Sequence, residues 1–122
     1  MREYTPKQIA KYKRQKYISA LNKCTTNLYK LFRNESTTYD SYKKRFTILK
    51  YEIDKYNDVL VSGDYLKKIK EYIDSLYNNT VLNEIEQDSF KDLAQEQLPN
   101  LNRLQKMRNR EKYSKEKYKR YD

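Results

Sequence analysis

The chain contains no histidine and no tryptophan, only one cysteine, one glycine and two prolines. Histidine is the commonest general base and the commonest metal ligand, so catalytic and metal sites both lack their usual residue. Phosphate-binding loops of the Walker and dinucleotide types need several glycines, which one glycine cannot supply. So little glycine and proline also leaves few positions for tight hairpin turns. The sequence therefore predicts a helical protein that is not an enzyme.

The single cysteine, Cys24, has no partner for an internal disulfide and falls on the apolar stripe of a predicted helix. Free cysteine is among the most often buried residue types, so we expect a core residue rather than a nucleophile. The longest aliphatic run covers residues 59–61, far short of the roughly 20 residues that span a bilayer. The first residues lack the apolar stretch of a secretory signal. We expect a cytoplasmic protein with no contact with membranes, no cofactor and no metal.

Positive charge is in excess, and it is sorted along the chain. Residues 1–33 contain nine Lys or Arg and one acidic residue, whereas residues 103–122 contain nine and three. Residues 34–102 contain nine basic and thirteen acidic residues, and the net charge of the whole chain is +10. A genome rich in adenine and thymine would favour Lys, Asn and Tyr everywhere, but it would not sort charge by position. The sorting indicates a polyanionic partner, for which nucleic acid is the first candidate.

Apolar residues recur at steps of three and four, the spacing of amphipathic helices. Thr5, Pro6 and Gln8 predict a helix start with a capping box. This helix should run to about Arg33, and a second should end near Gly63. The predicted stripes comprise Ala10, Tyr17, Leu21, Cys24, Leu28 and Leu31 in the first helix, Tyr39, Tyr42, Phe46, Leu49, Ile53, Tyr56 and Leu60 in the second, Leu66, Ile69, Ile73 and Leu76 in the third, and Val81, Leu82, Ile85, Phe90 and Leu93 in the fourth.

The predicted fold class is all-α, an elongated helical bundle built on a long antiparallel helical hairpin, with a basic C-terminal helical extension or tail. Residues 78–79 should close the third helix, and Thr80 should cap the fourth. Pro99 should break or kink the chain, because it lacks an amide donor. We expect a bundle domain over residues 1–102 and a basic extension over residues 103–122. The same heptads would also permit a homo-oligomeric coiled coil.

Cations alternate with tyrosines at both basic ends. Each phosphate that a cation neutralises releases counterions, and tyrosine rings between the cations are suited to stacking on unpaired bases. Core packing is the alternative role for Tyr12 and Tyr17, which lie at helical spacing. The predicted nucleic-acid-binding residues, for DNA or RNA, are Lys7, Lys11, Lys13, Arg14, Lys16, Arg103, Lys106, Arg108, Arg110, Lys112, Tyr113, Lys115, Lys117, Tyr118, Lys119, Arg120 and Tyr121.

Acidic residues are concentrated in one stretch, Glu84, Glu86, Asp88, Asp92 and Glu96. The last three, at steps of four, should share one helical face. The five acidic residues are interpreted as a solvated face or as a protein-binding surface for a basic partner, including a basic end of another copy. A magnesium-dependent nuclease site is the least favoured interpretation, because nuclease ligands usually come from separate elements. The stretch precedes the basic tail, and we expect it to hold that tail until a polyanion competes.

These observations favour a small non-enzymatic nucleic-acid-binding protein that contacts phosphate backbone through its basic ends. The short Lys-, Asn- and Tyr-rich chain resembles accessory proteins of phages and mobile elements in low-GC bacteria, a resemblance of composition alone. The alternative is a protein-binding module, either an inhibitor of a nucleic-acid enzyme of the anti-CRISPR kind or an assembly scaffold. Binding that weakens steeply with salt would favour the first hypothesis, and a stable protein partner would favour the second.

Overall fold

The described residues form four α-helices, so the predicted all-α class is confirmed. A computed structural model describes residues 4–56, 58–59 and 63–119, with side chains described as far as Arg110. These described residues contain no β-strand. A π-helical turn over Asn78–Leu82 and a short 3₁₀ turn over Gln87–Ser89 precede the last helix. The helices are α1 (Pro6–Arg33), α2 (Tyr39–Asp54), α3 (Asp64–Tyr77) and α4 (Phe90–Lys119).

Helix α1 begins with the predicted capping box. The Gln8 backbone N–H donates to Thr5 Oγ1 at 3.2 Å, and the Thr5 N–H donates to Gln8 Oε1 at 3.0 Å. Ala10 is exposed, so the predicted start of the stripe was wrong, whereas Leu31 at its other end is half-buried against the core and Phe32 beside it is buried. The stripe starts later because no other described helix covers the first three turns. The buried residues of α1 are Tyr17, Leu21, Cys24, Leu28 and Phe32.

Helix α2 has the predicted apolar stripe but ends well before Gly63. Tyr56 lies beyond the helix and is half-buried, whereas Leu60 lies outside the described residues. Gly63 has a φ angle of 130°, a conformation that favours glycine. It stands immediately before α3 rather than after α2, so its predicted role as a helix C-cap was wrong. The buried residues of α2 are Tyr39, Tyr42, Phe46, Leu49 and Ile53.

Thr80 anchors the turn after α3 in the core, so the prediction that it caps a fourth helix was wrong. Its hydroxyl donates to the Leu76 carbonyl at 2.6 Å and lies 2.8 Å from the Tyr42 hydroxyl. The Tyr39 hydroxyl donates to the Thr80 carbonyl and accepts from the Ile85 N–H at 3.0 Å. These bonds satisfy polar groups that would otherwise be costly to bury. They hold the chain in a turn where a new helix was predicted.

Helix α4 therefore begins only at Phe90, and Pro99 lies inside it without ending it. Proline in a helix interior costs about 3 kcal/mol. Phe90 and Ala94 before the proline, and Leu101 and Leu104 after it, are buried in the common core. Burying each large apolar side chain contributes about 1.5–3 kcal/mol, which together exceeds that cost. The predicted boundary between residues 102 and 103 falls inside this helix, and independence of the basic segment stays a prediction.

Helices α1 and α3 each pack against all three of the other helices, and the most extensive packing is that of α1 against α2 and α4. The Phe32 ring centroid lies 5.2 Å from that of Tyr42 and 6.1 Å from that of Phe90, so α1, α2 and α4 meet at the C-terminal end of α1. Farther along α4, Leu101 and Arg108 border a groove together with Thr25 of α1. As residue numbers rise along α4 they fall along α1. The start of α1 and the end of α4 therefore point towards the same end of the bundle.

Candidate nucleic-acid interface

The first three turns of α1 form an exposed basic segment, which we call the basic arm (residues 6–16). None of its residues is buried, and the core contribution of α1 starts at Tyr17. The first turn contains no acidic residue, although the partial positive charge of a helix N-terminus favours acids there. The arm therefore adds side-chain cations to a helix end that is already positive. Its exposed cations are Lys7, Lys11, Lys13, Arg14 and Lys16.

Most cations of the basic arm have no carboxylate partner among the described residues. Lys13 is the exception, because its Nζ lies 3.3 Å from Asp58 Oδ2. The Lys16 Nζ lies 5.4 Å from the centroid of the Tyr12 ring, a cation–π contact within the arm. Tyr12 is 59% exposed, so its alternative role in the core was wrong, whereas the same role is confirmed for Tyr17. The arm keeps its positive charge available to an external anion.

The C-terminal half of α4, which we call the basic half (residues 103–119), presents a second set of cations. Arg103, Lys106, Arg108 and Arg110 are all exposed, and none is paired with a carboxylate in the part of the chain whose side chains are described. Arg103 donates to Asn100 Oδ1 at 3.2 Å. The side chains of Lys112, Tyr113, Lys115, Lys117, Tyr118 and Lys119, and the whole of Arg120 and Tyr121, lie outside the described residues.

A groove of about 180 Å³ joins the two basic helices where α1 and α4 pack together. Lys30 from α1 and Arg108 from α4 both border it. Lys30 was not among the residues predicted from the sequence, because only the packing of α4 against α1 brings it to the same groove as a cation of the basic half. The lining is completed by Thr25, Thr26, Tyr29, Tyr65, Leu101 and Gln105.

The two basic segments converge at one end of the molecule. Arg108 of α4 and Thr25 of α1 border the same groove, and α4 continues as helix to Lys119. That continuation is about 16 Å long at 1.5 Å per residue, and it points along α1 towards the basic arm. The sorting of charge along the chain thus becomes a concentration of positive charge at one end of the bundle.

The acidic stretch lies towards the other end, where α1 ends and α2 begins. All five of its carboxylates are exposed, and Glu84 is 3.3 Å from the Lys43 Nζ of α2. Asp88 precedes α4, whereas Asp92 and Glu96 belong to it, so the expected shared helical face of all three was wrong. The described residues contain no group of three or more acidic, histidine or cysteine side chains placed to hold a metal ion.

The path of α4 contradicts the expectation that the acidic stretch holds the basic tail. From Glu96 to Arg108 the chain is one helix, which separates the two residues by about 18 Å. A helix cannot fold back on its own first turns. The described basic half is therefore directed away from the acidic stretch rather than onto it.

Several ionisable side chains of the bundle are buried or form ion pairs, and they contribute to its structure. Burial raises the pKa of the Cys24 thiol to about 12, which confirms Cys24 as a core residue rather than a nucleophile. Lys50 Nζ lies 2.7 Å from Asp54 and 2.8 Å from Asp74, and Lys70 Nζ lies 2.8 Å from Asp74. Burial opposes the charged form of Asp74, but hydrogen bonds from both lysines outweigh it and lower the pKa of the carboxyl. The Lys50–Asp74 pair joins α2 to α3, whereas the other two pairs lie within one helix each.

No protein-family model matches this chain, and comparisons with curated proteins and with solved structures find no similar protein. None of the described helices combines the length and the apolar character needed to cross a membrane. The function is therefore inferred from the chain's own residues and their geometry.

Proposed function

We propose that this protein binds nucleic acid without catalysing a reaction on it, and that it contacts phosphates with the basic arm and with the basic half of α4. The supporting observation is the set of exposed cations that lack a carboxylate partner among the described residues and lie towards one end of the bundle. Its members are Lys7, Lys11, Arg14, Lys16, Arg103, Lys106, Arg108 and Arg110.

Electrostatics favours a polyanion over a single acidic group as the ligand of this surface. Cations on two separate helices repel one another, and a row of phosphates relieves this repulsion at several positions at once. Each contact also releases counterions condensed on the nucleic acid, a gain that one carboxylate does not supply. Backbone contacts of this kind position a nucleic acid but carry no sequence information, so we expect little base-sequence preference.

We further propose that α1 and α2 form the long antiparallel hairpin expected from the heptads. Supporting contacts are the hydrogen bond from Arg45 Nη2 to Asn27 Oδ1 at 3.2 Å, in the second half of α1, and the ion pair of Lys13 with Asp58 near its start. Such a hairpin would make the basic arm the stiff continuation of a helix already fixed in the core.

The proposal is tested by fluorescence anisotropy with labelled DNA and RNA, each single-stranded and duplex, over a series of salt concentrations. If each of the eight cations neutralises one phosphate, the slope of log K against log salt is about −5.6 for single strands and about −7.2 for duplex. Absence of binding to all four nucleic acids at about 50 mM salt would refute the proposal, because the electrostatic term is strong under that condition.

A protein-binding role is the second candidate, and one surface favours it. Leu82 is 64% exposed and is close in sequence to the exposed carboxylates of Glu84 and Glu86. Tyr39 fixes this loop at Ile85, so the apolar and acidic groups are presented with little freedom. A basic partner, including a second copy, would complement the loop. A partner from the source cell that is lost with Leu82→Ser but retained when the arm cations are removed would support this role.

A further inference from the structure

One face of the basic arm combines aromatic rings with polar and charged groups. Tyr4, just before the arm, is 69% exposed, and Ile9 within it is 44% exposed. Together with Tyr12 they border a shallow groove of about 500 Å³ that no other described helix covers. The remaining groove residues are Gln8, Lys11 and Gln15.

This placement calls for an explanation, because large apolar side chains are usually buried. Exposing an aromatic ring forgoes burial that contributes about 1.5–3 kcal/mol. Tyr17, little more than one turn later on the same helix, is only 7% exposed. The difference is that Tyr17 has other helices around it, whereas Tyr12 belongs to a segment that is covered by none of the described helices.

We infer that the nucleic acid bound by the basic arm is single-stranded, with an unpaired base stacked on the Tyr12 ring and Lys11 and Lys16 on the flanking phosphates. The inference rests on the proposed function and names the class of ligand for the same surface. Base-on-aromatic stacking beside cations is the common chemistry of single-strand recognition, and it tolerates any base because every base has a π face.

The geometry around Tyr12 fits this ligand. The Lys16 ammonium lies over one face of the exposed Tyr12 ring, 5.4 Å from its centroid, so a base would stack on the other face with a cation close by for a flanking phosphate. Gln15 supplies an amide that can both donate and accept at a base edge. Tyr4 precedes the helix but borders the same groove as Tyr12, and it offers a second ring to a base farther along the strand.

Duplex nucleic acid suits this face poorly. In a duplex each base is stacked between its neighbours and shows only its edges in the grooves, so its π face is not available to Tyr12. Reaching that face requires flipping the base out, at a cost of a few kcal/mol. Phosphates remain accessible on a duplex, so cation contacts alone would give no preference for single strands.

An anionic membrane surface is the competing occupant of a basic amphipathic helix. Ile9 is the only aliphatic side chain in the groove, and Gln8 and Gln15 share its face. Insertion would bury the Gln15 amide and the Gln8 amide NH₂ group without hydrogen-bond partners, which is unfavourable. Charge complementarity with phosphate is common to both ligands, but the aromatic and amide groups favour a nucleic-acid strand.

The test measures the affinity of Tyr12 variants for a labelled oligothymidylate, for a duplex of the same length and for vesicles of phosphatidylserine and phosphatidylcholine. Tyr12→Leu keeps an apolar side chain but removes the ring, and Tyr12→Phe keeps the ring. Tyr51→Leu is a matched control, because Tyr51 is 65% exposed and Lys55 lies 5.1 Å from its ring centroid, but it belongs to α2. Circular dichroism verifies that each variant keeps its helices.

We expect Tyr12→Leu to weaken binding to the single strand by roughly 5- to 100-fold, the range for loss of one stacked base, with a smaller change for the duplex. Tyr12→Phe and Tyr51→Leu should bind like the native chain.

Three outcomes would overturn the inference. Equal native affinity for strand and duplex, with no effect of Tyr12→Leu, would refute stacking and leave the proposed function standing. Binding to neither nucleic acid would refute both. Vesicle binding that Tyr12→Leu preserves, without binding of the oligonucleotide, would assign the face to a membrane.

Discussion

Removing the unpaired cations of the basic arm should change the salt dependence of nucleic-acid binding by a calculable amount. The perturbation replaces Lys7, Lys11, Arg14 and Lys16 with Gln, four exposed residues that have no carboxylate partner within the described part of the chain. Lys13 is left in place, because Asp58 already neutralises part of its charge. Gln is close to Lys and Arg in helix propensity, so the arm should remain helical.

The magnitude follows from the number of phosphates released. Each neutralised phosphate contributes about 0.7 to the slope of log K against log salt for a single strand, so four lost contacts should change the slope from about −5.6 to about −2.8. Anisotropy titrations of a labelled oligothymidylate between about 50 and 200 mM salt measure this change directly. A fall in affinity at one salt concentration would be less informative, because lost stability and lost contacts both produce it.

The matched control removes the same charge from elsewhere. Lys44, Lys67, Lys68 and Lys91 are exposed and lie outside both basic segments. Their replacement with Gln lowers the net charge equally, but it should leave the slope within about one contact, or 0.7, of the native value. Equal slopes for the two quadruple variants would refute the reasoning, since they would show that net charge rather than its placement governs binding.

Three further predictions concern the bundle. Tyr39→Phe removes two of the hydrogen bonds that anchor the turn after α3, and urea denaturation should show a free energy of unfolding lower by about 1–3 kcal/mol, with unchanged helicity as the control. Asp74→Asn should cost at most about 1 kcal/mol at neutral pH, because Asp74 is partly exposed where Lys50 and Lys70 bind it. Since those lysines lower the folded-state pKa of Asp74, this contribution is complete above the ordinary carboxyl pKa and disappears as pH falls through the lowered value; a difference that persists in strong acid would contradict the assignment. The Cys24 thiol, with its pKa raised to about 12, should resist thiol reagents at mildly alkaline pH until urea unfolds the chain, and rapid labelling of the folded protein would show that it is not buried.

The features that were predicted correctly depend on interactions between neighbours in sequence. The capping box joins Thr5 to Gln8, three residues away, and the α2 stripe needs only helical periodicity. The turn at Thr80 depends instead on Tyr39, which is 41 residues distant. An Asn-Asn-Thr sequence has the same local signal for a helix cap whether or not a tyrosine hydroxyl reaches it. The helix start was therefore misplaced because a tertiary contact overrode a local preference.

The candidate site also contains some features that can be predicted from the sequence and others that depend on tertiary packing. The exposure of Lys7 and Arg14 can be predicted from residue type, because Lys and Arg are almost never fully buried unless they are paired. That Lys30 borders the same groove as Arg108 depends on the packing of α4 along α1, which in turn requires Pro99 to be accommodated inside α4. Because proline ordinarily ends a helix, the sequence predicted two shorter segments instead of one long α4. The direction of the basic half relative to the basic arm could therefore not be predicted.

This convergence determines how far the acidic residues can oppose binding. Glu96 and Arg110 are separated by about 21 Å of helix. The Debye length at physiological ionic strength is about 8 Å, so the field of the acidic stretch is largely screened at the basic end. A polyanion approaching that end meets mainly positive potential, which raises the rate of encounter and orients the bundle with its acidic end outward. The acidic stretch then remains free to contact a second protein. Nucleic-acid binding and protein binding are therefore compatible on one molecule.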